Sequence, residues 1–540
     1  MKDDRYEQLF RNFRWDVPER FNFARDIVDR HAQDPGLLAL FWTDETGREE
    51  KYTFAQLRDL SNRFANLMAG LGIGKGDVVL VILPRVPAWQ VVMLGLLKLG
   101  AIAAPGATLL QPKDIAYRIQ LAGARALVTD VENCGKVESI GEVGPDFRHR
   151  ILVGGSRPGW ASYEEGMQRA ATAFTAEHNL SKDPALIFFT SGTTGGPKMV
   201  LHSHAYTWAH RLTGEYWIDL KPTDLHWNMS DTGWAKAAYS TLFGPWHSGC
   251  AVFSYKGNFE PRKTLEMLEK YKITTFCAPP TAFRLMVKED LKKYRFSLRH
   301  VVGAGEPLNP EVIEVWKEGT GQTIYDGYGQ TESIIVVCNH PSIPVRPGSM
   351  GKPMPGHVIA IVDEDGNELP ADEEGEIAIK GNPPSLFLGY WKEPELTQAS
   401  RRGPWYVTGD KAYRDQDGYY WFVGRADDVI ISAGYRIGPF EVESALIEHP
   451  AVVEAAAVAS PDEVRGDIVK AFVVLRSGYQ GSPELVRELQ EHVKKVTAPY
   501  KYPREIEFVA QLPKTISGKI RRVELRMREV KKKRASSASS

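Results

Sequence analysis

Short, strongly apolar runs alternate with longer amphipathic stretches over much of the chain. Residues 78–83 (VVLVIL) and 126–128 (ALV) are typical of buried strands, whereas residues 53–71 carry apolar side chains at helical spacing. Because strands that alternate with helices form sheets covered on their faces, the pattern predicts an α/β fold. At 540 residues the chain is too long for one hydrophobic core, so we expect several folding units.

The pattern changes twice along the chain. Residues 356–424 are rich in short strands and Asp-Gly turns, which predicts a β subdomain at the end of a large N-terminal domain of residues 1–424. That domain should contain helix-covered mixed or parallel sheets. Strand and helix patterns then predict a small α+β domain of residues 425–530. Residues 531–540 are basic and Ser-rich, so we expect a disordered tail.

The overall charge limits the classes of partner. With 67 basic and 68 acidic side chains the net charge is -1, so the chain has no bulk field that would favour nucleic acid or an anionic membrane. The most apolar stretch starts at residue 91, but Lys98 interrupts it and Pro105 closes it. This favours a buried helix leading into a strand over a membrane span. Neither nucleic acid nor an integral membrane is an expected partner.

Cysteine usage and the N-terminus bear on the cellular compartment. The first residues, MKDDRYE, lack the apolar core of a signal peptide. The cysteines are widely spaced and form neither a C-x-x-C pair nor a zinc pattern; they are Cys134, Cys250, Cys277 and Cys338. Reduced, buried thiols are typical of a reducing compartment. The sequence therefore predicts a cytoplasmic protein.

A loop rich in hydroxyls and glycines follows the apolar run of residues 185–189. Residues 190–198 (TSGTTGGPK) contain four hydroxyl side chains, three glycines and a lysine. Glycines let backbone N–H groups turn toward an anion, and the lysine adds a positive charge, so the segment predicts a phosphate-binding loop at a strand end. Lys198 follows Pro197 and precedes Met199, which does not fit a Walker A motif. A flexible surface loop is the alternative interpretation.

Four further motifs follow this loop in order. They are residues 325–333 (YDGYGQTES), 406–410 (YVTGD), 424–441 (GRADDVIISAGYRIGPFE) and 513–521 (PKTISGKIR). With these segments in this order, the chain resembles the adenylate-forming superfamily of acyl-CoA synthetases, peptide-synthetase adenylation domains and luciferases over nearly its whole length. Residues 229–234 (MSDTGW) and 244–246 (GPW) are similar to the medium-chain acyl-CoA synthetase branch.

The resemblance implies a reaction in two steps. A carboxylic acid, ATP and CoA would give acyl-CoA, AMP and pyrophosphate through an acyl-adenylate, because a free carboxylate is a poor electrophile and AMP is a better leaving group than oxide. An anionic acid must attack an anionic nucleotide, so the site needs cationic and hydrogen-bonding groups. The expected ligands are ATP, Mg²⁺, CoA and a small carboxylic acid.

The resemblance assigns most motif residues to the nucleotide. Asp410 can accept hydrogen bonds from ribose hydroxyls, and Glu332 is a hard oxygen ligand suited to Mg²⁺. Asp326 and Tyr328 match the positions that bind the adenine amino group and stack on its ring. Outside the motifs, a lone glutamate or a turn aspartate would be interpreted as a surface residue. The set assigned to ATP or AMP is Thr190, Ser191, Gly192, Thr193, Thr194, Lys198, Gly305, Glu306, Pro307, Asp326, Gly327, Tyr328, Gln330, Thr331, Asp410, Arg425 and Arg436.

Lys519 matches the lysine that acts in adenylation, and with Glu332 and Thr331 it forms the expected catalytic set. A lysine so near a basic tail would otherwise be interpreted as solvated. Asp427 matches the hinge of a mobile C-terminal domain, whose rotation would exchange Lys519 for a CoA-facing strand at Gly434. The resemblance also makes Lys519 an expected target of a protein lysine acetyltransferase, because acetylation removes its charge. A homo-oligomer is left open.

The residue before the Gln-Thr-Glu element bears on the acid. Acetate-using relatives carry tryptophan there, whereas this chain has Gly329, so we expect a cavity for a medium-chain or branched acid. Core packing with one solvated lysine is the alternative interpretation of the candidate lining residues. These candidates are Trp234, Lys236, Tyr239, Trp246, His247, Gly303 and Gly329.

Several other functions share the adenylation step. An aryl-acid CoA ligase is the nearest alternative and differs only in the acid. A luciferase-like enzyme would consume oxygen after adenylation, and a non-catalytic nucleotide binder would not need both Lys519 and Glu332. Loading of a separate carrier protein is a further alternative. The sequence favours the acyl-CoA synthetase.

Overall fold

The computed structural model describes residues 5–190, 197–432, 435–462, 465–515 and 519–537. These residues form three β-sheets. Two large sheets with their covering helices make up most of the chain, and a third sheet belongs to a small C-terminal unit. The predicted α/β fold with a small C-terminal domain is confirmed.

The first sheet is mainly parallel. Its 8 strands are, in spatial order, Gly389–Tyr390, Met199–Ser203, Pro184–Phe189, Ile102–Pro105, Val78–Ile82, Ala126–Asp130, His149–Val153 and Ala161–Ser162. Met199–Ser203 runs antiparallel to Pro184–Phe189, with Phe189 opposite Met199. The glycine-rich loop therefore joins two paired strands at their ends.

The second sheet has 14 strands and changes from parallel to antiparallel part-way across. In spatial order the strands are Ile359–Val362, Gly375–Lys380, Trp405–Arg414, Tyr420–Arg425, Ser349–Pro353, Ile335–Cys338, Ile324–Gly329, His300–Ala304, Thr275–Ala278, Leu225–Asn228, Ala251–Lys256, Leu38–Asp44 and Glu49–Thr53, with Arg401–Arg402 paired to Trp405–Arg414. Ile324–Gly329 is parallel to one neighbour, His300–Ala304, and antiparallel to the other, Ile335–Cys338. The change of direction thus falls at the YDGYGQTE motif.

Helices cover the two large sheets. The α-helices are Arg5–Asn12, Asp29–His31, Phe54–Gly70, Pro87–Leu99, Pro112–Ala122, Cys134–Glu138, Tyr163–Arg169, His204–Leu212, Ala235–Ala238, Gly244–His247, Pro261–Lys270, Pro280–Met286, Pro310–Thr320 and Pro394–Ala399. Short π-helices occur at Ala24–Val28, Thr213–Trp217 and Tyr239–Phe243, and a 3₁₀-helix occurs at Leu291–Lys293. Thr53 begins the helix Phe54–Gly70 with a capping box, accepting from Gln56 N at 3.2 Å.

The small C-terminal unit contains the third sheet. Its strands are Tyr435–Ile437, Ile430–Ser432, Gly466–Leu475 and Val452–Asp462, with Glu505–Phe508 paired to Gly466–Leu475. Its helices are Pro439–Glu448, Pro483–Val496, the short turn Pro499–Lys501 and Arg522–Ser537.

The expectation of a disordered tail from residue 531 is wrong over the part that the structure describes, because the helix Arg522–Ser537 extends through it. Lys532 lies 3.3 Å from Glu507, and Lys533 is paired with Glu505 at 2.5 Å. Both glutamates lie on the strand Glu505–Phe508. These contacts between distant segments favour the helix, which the composition alone did not indicate.

Lys98 is buried within the apolar helix Pro87–Leu99. Its Nζ donates to Asp29 Oδ1 at 2.8 Å and to Asn62 Oδ1 at 2.6 Å. A buried ammonium needs such partners, so this helix belongs to the protein interior, as predicted. Over the described part of the chain, no helix is long and apolar enough to cross a membrane.

Candidate active site

The sequence motifs meet on the second sheet near the strand Ile324–Gly329, where the strand direction changes. Asp410 lies on the strand Trp405–Arg414, and its carboxylate is buried. It accepts hydrogen bonds from Tyr328 Oη at 2.6 Å and Gln330 Nε2 at 2.6 Å, both at Oδ2. Arg425 Nη1 contacts Oδ1 at 3.1 Å. A carboxylate has about four lone-pair positions, so this cluster leaves Asp410 able to accept from a ligand.

Glu332 lies beside this cluster and is half-buried. Its Oε1 accepts a hydrogen bond of 2.8 Å from Tyr390 Oη, and the Lys198 Nζ lies 5.1 Å from the centre of the Tyr390 ring. Burial raises the pKa of Glu332, while the Tyr390 hydrogen bond and the charges of Lys198 and Arg425 oppose that rise. The site therefore contains a desolvated carboxylate that a cation would stabilise.

The described ends of the glycine-rich loop are Thr190 and Lys198, and Lys198 lies beside Tyr390. These ends are held together by a hydrogen bond of 2.9 Å from Thr190 N to Lys198 O. The predicted phosphate contacts Ser191, Gly192, Thr193 and Thr194 lie outside the described residues, so their roles stay predictions. Thr331, next to Glu332, is positioned by its carbonyl, which lies 2.7 Å from His202 Nε2.

Lys236 is half-buried and Asp326 is buried, and the charge of each acts on the pKa of the other. Lys236 Nζ donates to Ala304 O at 2.8 Å. Burial lowers the pKa of Lys236, and the nearby charge of Lys519 acts in the same direction. Burial raises the pKa of Asp326 to about 8, opposed by the Gly327 N–H and by the charge of Lys236. Lys236 is therefore half-buried and hydrogen-bonded, and its role at the acid stays a prediction.

The Gly-Glu-Pro segment follows the strand that ends at Ala304. Gly305 has φ +104°, a conformation that favours glycine, and a Cβ there would face open space among the described residues. The turn aims Glu306 at Arg284, whose Nη2 donates to Glu306 Oε2 at 2.9 Å. Thr281 Oγ1 donates to the same oxygen at 2.7 Å. Glu306 is thus held in place by the protein, beside Pro307.

The candidate acyl residues separate into two groups. Tyr239 is buried and its ring stacks 5.3 Å from His210, whereas half-buried Trp234 packs with the apolar cluster that includes Phe189. Trp246 lies instead in the main core, where its Nε1 donates to Ala39 O at 3.1 Å. These contacts favour the core-packing interpretation of Trp246.

His247 follows Trp246 into the core. Its Nε2 lies 3.0 Å from Thr207 O, and its ring packs 5.3 Å from Phe23. These contacts place His247 with the structural residues, and core packing explains it better than substrate binding.

A second part of the acyl prediction is that Gly329 leaves space for a longer acid. A Cβ at Gly329 would lie 2.3 Å from Ile334 O and 3.0 Å from Ile335 Cα. The register of the two strands shifts between Tyr328 and Gly329, which brings the returning chain against this position. Gly329 is thus required by a close approach of two backbones, so the absence of a side chain there does not indicate an open tunnel. Gly303 has more space, with the nearest atom 3.4 Å from a Cβ.

The small C-terminal unit presents Lys519 toward this site. Lys519 is exposed and is paired with Thr515: its N donates to Thr515 Oγ1 at 3.1 Å and its O accepts from Thr515 N at 2.7 Å. Its charge contributes to the lowered pKa of Lys236, so the two lysines are within electrostatic reach. The loop residues 516–518 and the CoA candidate Gly434 lie outside the described residues, and so does the side chain of Arg436.

Asp427 lies where the two parts of the chain join. Its Oδ1 is 3.8 Å from Arg425 Nε, and its carbonyl accepts a hydrogen bond of 2.5 Å from Arg526 Nη1. Arg526 also lies 3.3 Å from Asp428 Oδ1. The junction thus contacts both the Asp410 cluster and the helix that follows Lys519.

The comparisons with known proteins agree with this geometry. The profile of the AMP-binding enzyme family matches residues 28–391, and that of the AMP-binding enzyme C-terminal domain matches residues 441–519. The chain belongs to this family. The predicted resemblance to adenylate-forming acyl-CoA synthetases is confirmed at that level.

Two curated relatives cover nearly the whole of this AMP-binding enzyme. The human acyl-coenzyme A synthetase ACSM4, mitochondrial, is 49% identical over 95% of this chain and 91% of the relative. The human acyl-coenzyme A synthetase ACSM3, mitochondrial, is 45% identical over 97% of this chain and 92% of the relative. The expectation of a cytoplasmic location is therefore wrong, because these relatives are mitochondrial.

A solved structure shares the fold. The crystal structure of the anthranilate CoA ligase AuaEII in complex with anthranoyl-AMP has a TM-score of 0.89 and 34% identity, covering 97% of this chain and 99% of that chain. This AMP-binding enzyme therefore shares its architecture with a CoA ligase, and that ligase was crystallised with an acyl-adenylate.

Sequence reasoning missed several residues of the site. Tyr390 is separated from Glu332 by 58 positions, and Arg284 from Glu306 by 22. Tyr406, the first residue of the YVTGD motif, was given no role and also enters the site, donating to Gln330 Oε1 at 3.0 Å. Tyr390 and Arg284 lie in none of the motifs, so the sequence offered no signal for these two residues.

Proposed function

We propose that this protein is an ATP-dependent acyl-CoA synthetase that converts a carboxylic acid, ATP and CoA into acyl-CoA, AMP and pyrophosphate. The observation that carries the proposal is the hydrogen-bonded cluster around Asp410 beside Glu332, with the charge of Lys519 near enough to lower the pKa of Lys236. Membership of the AMP-binding enzyme family and the acyl-coenzyme A synthetase relatives support it.

In the first half-reaction, a carboxylate oxygen of the acid attacks the α-phosphorus of ATP. The bond from that phosphorus to the bridging oxygen breaks, and pyrophosphate leaves with the electron pair. Asp410 and Arg425 hold the ribose, while Tyr328 and Asp326 hold the adenine. Lys519 meets the charge that develops between the acid and the phosphate, because fixed cations stabilise it without reorganisation.

Lys198, Glu332 and Thr331 belong to the phosphate end of the site. Lys198 can neutralise the leaving pyrophosphate from the end of the glycine-rich loop. Within the described residues, no group of three or more His, Cys, Asp or Glu side chains is arranged to hold a metal ion. Glu332 alone nevertheless fits Mg²⁺, which uses one or two carboxylates with phosphate oxygens and waters. When bound, the ion would neutralise phosphate charge.

In the second half-reaction, the CoA sulfur attacks the carbonyl carbon of the acyl-adenylate. The bond from carbon to the phosphate oxygen breaks, AMP leaves, and the thiol proton is released. Asp427 serves as the hinge that withdraws Lys519 and presents the strand near Gly434 to the CoA thiol. Its position between Arg425 and the helix after Lys519 supports this role.

The acid is a medium-chain or branched carboxylic acid, with Tyr239, Trp234, Lys236 and Gly303 at its pocket. An aryl acid is the second candidate, favoured by the similarity to the anthranilate CoA ligase. Pyrophosphate release across acids of increasing length, branched acids and aromatic acids, with and without CoA, decides between them. Pyrophosphate release that does not depend on an added acid would contradict the proposal. Oxygen uptake in the absence of CoA would favour a luciferase-like enzyme.

Lys519 is also the residue through which the enzyme would be regulated. Lys519 is exposed, so a lysine acetyltransferase could reach it, and acetylation would remove the charge used in adenylation. Mass spectrometry with the rates of both half-reactions tests this proposal. Whether the chain forms a homo-oligomer is a separate question, which light scattering answers.

A further inference from the structure

A hydrogen bond joins the large domain to the small C-terminal unit. Asn309 lies directly before the helix Pro310–Thr320 and is buried. Although asparagine commonly caps helices, its Nδ2 donates to Ser444 Oγ at 2.9 Å. Ser444 lies on the helix Pro439–Glu448, 135 positions away. The side chain is thus used for a contact between the two parts of the protein.

The other end of the Asn309 side chain leads to the nucleotide motif. Its Oδ1 accepts from Arg284 Nη1 at 3.4 Å, and Arg284 Nη2 donates to Glu306 Oε2 at 2.9 Å. The Arg284 and Glu306 side chains are only 19% and 15% exposed, so solvent screens this pair weakly. Asn309 is therefore held in one orientation by a group that also fixes the Gly-Glu-Pro loop.

The helix that carries Ser444 also holds the segment after Lys519. Glu443, next to Ser444, accepts from Arg522 Nε at 2.8 Å and Arg522 Nη2 at 2.6 Å. Such bidentate pairs fix geometry as well as charge. Arg522 begins the helix Arg522–Ser537. One helix is thus tied on one side to the nucleotide motif and on the other to the lysine segment.

We infer that Asn309 and Ser444 are positioning residues for the adenylation half-reaction. Their hydrogen bond holds the helix Pro439–Glu448 against the large domain in the orientation that directs Lys519 to the site. Rotation about Asp427 must break it before the thioester step. The inference rests on the proposed two-step function and adds the contact that stabilises one of its two domain orientations.

The first test separates the half-reactions. Ser444→Ala removes the acceptor at little risk to folding, because alanine is the best helix former. One hydrogen bond shifts an equilibrium roughly three- to tenfold, so we expect adenylate formation, measured by ATP–pyrophosphate exchange, to fall by that factor. Conversion of supplied acyl-adenylate to acyl-CoA should keep its rate or rise.

Matched variants complete this test. Ser444→Thr keeps the hydroxyl and should retain exchange. Asn309→Ala should lose at least as much exchange as Ser444→Ala, because it also removes the acceptor of Arg284 Nη1. The double variant should lose no more than Asn309→Ala, because the Ser444 contact is already absent there. Equal losses in both half-reactions, or unchanged exchange in Ser444→Ala, would overturn the inference.

A second test does not depend on activity. Asn309→Cys combined with Ser444→Cys places two thiols at the contact, and the four native cysteines are all buried. Dibromobimane, which fluoresces when it bridges two nearby thiols, should join them in the full-length protein. The bridged protein should retain exchange and lose thioester formation. A bridged protein that performs both half-reactions would contradict the inference. A parent enzyme that shows no exchange would contradict the proposed function instead.

Discussion

The hydroxyl of Tyr390 donates a hydrogen bond of 2.8 Å to Glu332 Oε1. It stabilises the ionised form of a carboxylate whose pKa burial raises. Tyr390→Phe should raise that pKa further, because the charged form loses a donor. The acid limb of the kcat/KM profile for ATP–pyrophosphate exchange should therefore move to higher pH.

Tyr406→Phe provides the control for this profile. Its hydroxyl donates to Gln330 rather than to Glu332. The acid limb should stay close to that of the parent enzyme. If Tyr390→Phe also leaves it in place, ionisation of Glu332 does not limit adenylation.

Lys519→Ala should separate the two half-reactions. We expect a loss on the order of a hundredfold or more in adenylate formation, where one transition-state charge contact is removed, and little change in thioester formation from supplied adenylate. Lys514 lies in the same segment but pairs with Glu454 at 2.6 Å, so Lys514→Ala is the matched control. Similar losses in both half-reactions of Lys519→Ala would exclude the assigned role.

The junction at Asp427 gives a different signature. Proline at position 427 would fix φ and so hold the two domains as they stand in the structure. In that arrangement the charge of Lys519 acts on Lys236. Asp427→Pro should therefore retain adenylation and lose thioester formation, whereas Asp427→Ala should retain both. Stopped-flow measurement of each step checks this. Retention of both rates in the proline variant would make Asp427 an ordinary linker residue.

Gly329 and Gly303 should differ in their tolerance of a methyl group. Gly329→Ala would force a Cβ to 2.3 Å from Ile334 O, so we expect it to lower the free energy of unfolding by about 1 to 3 kcal/mol. Gly303→Ala meets side-chain atoms no closer than 3.4 Å and should change the stability far less. Thermal unfolding of the two variants tests this, and equal melting temperatures would contradict it.

Buried neutral histidines should make the fold sensitive to acid. Burial lowers the pKa of His202 and of His226 from 6.5 to about 3. The unfolded chain therefore binds more protons between these values, and stability falls as the pH drops below about 6.5, by up to about 1.4 kcal/mol per pH unit for each histidine. Urea unfolding between pH 7.5 and pH 5.5 measures the slope. A flat profile would contradict the buried, neutral state.

The sequence by itself determined the α/β class, the family and the order of the motifs. Asp410, Tyr328 and Gln330 lie in two separate motifs, and the structure brings them into one hydrogen-bonded cluster. These residues can be recognised from the sequence because their side-chain types and their spacing within each motif are typical of a nucleotide-binding site. Their assigned roles in binding stay predictions.

Only the tertiary structure decided what depends on distant segments approaching each other. Gly329 is fixed by the returning backbone at Ile334, a contact set by a register shift that the composition does not encode. The bond between Asn309 and Ser444 spans 135 positions. Local patterns specify helices, strands and loops, but the packing of sheets and domains determines which side chains share a site.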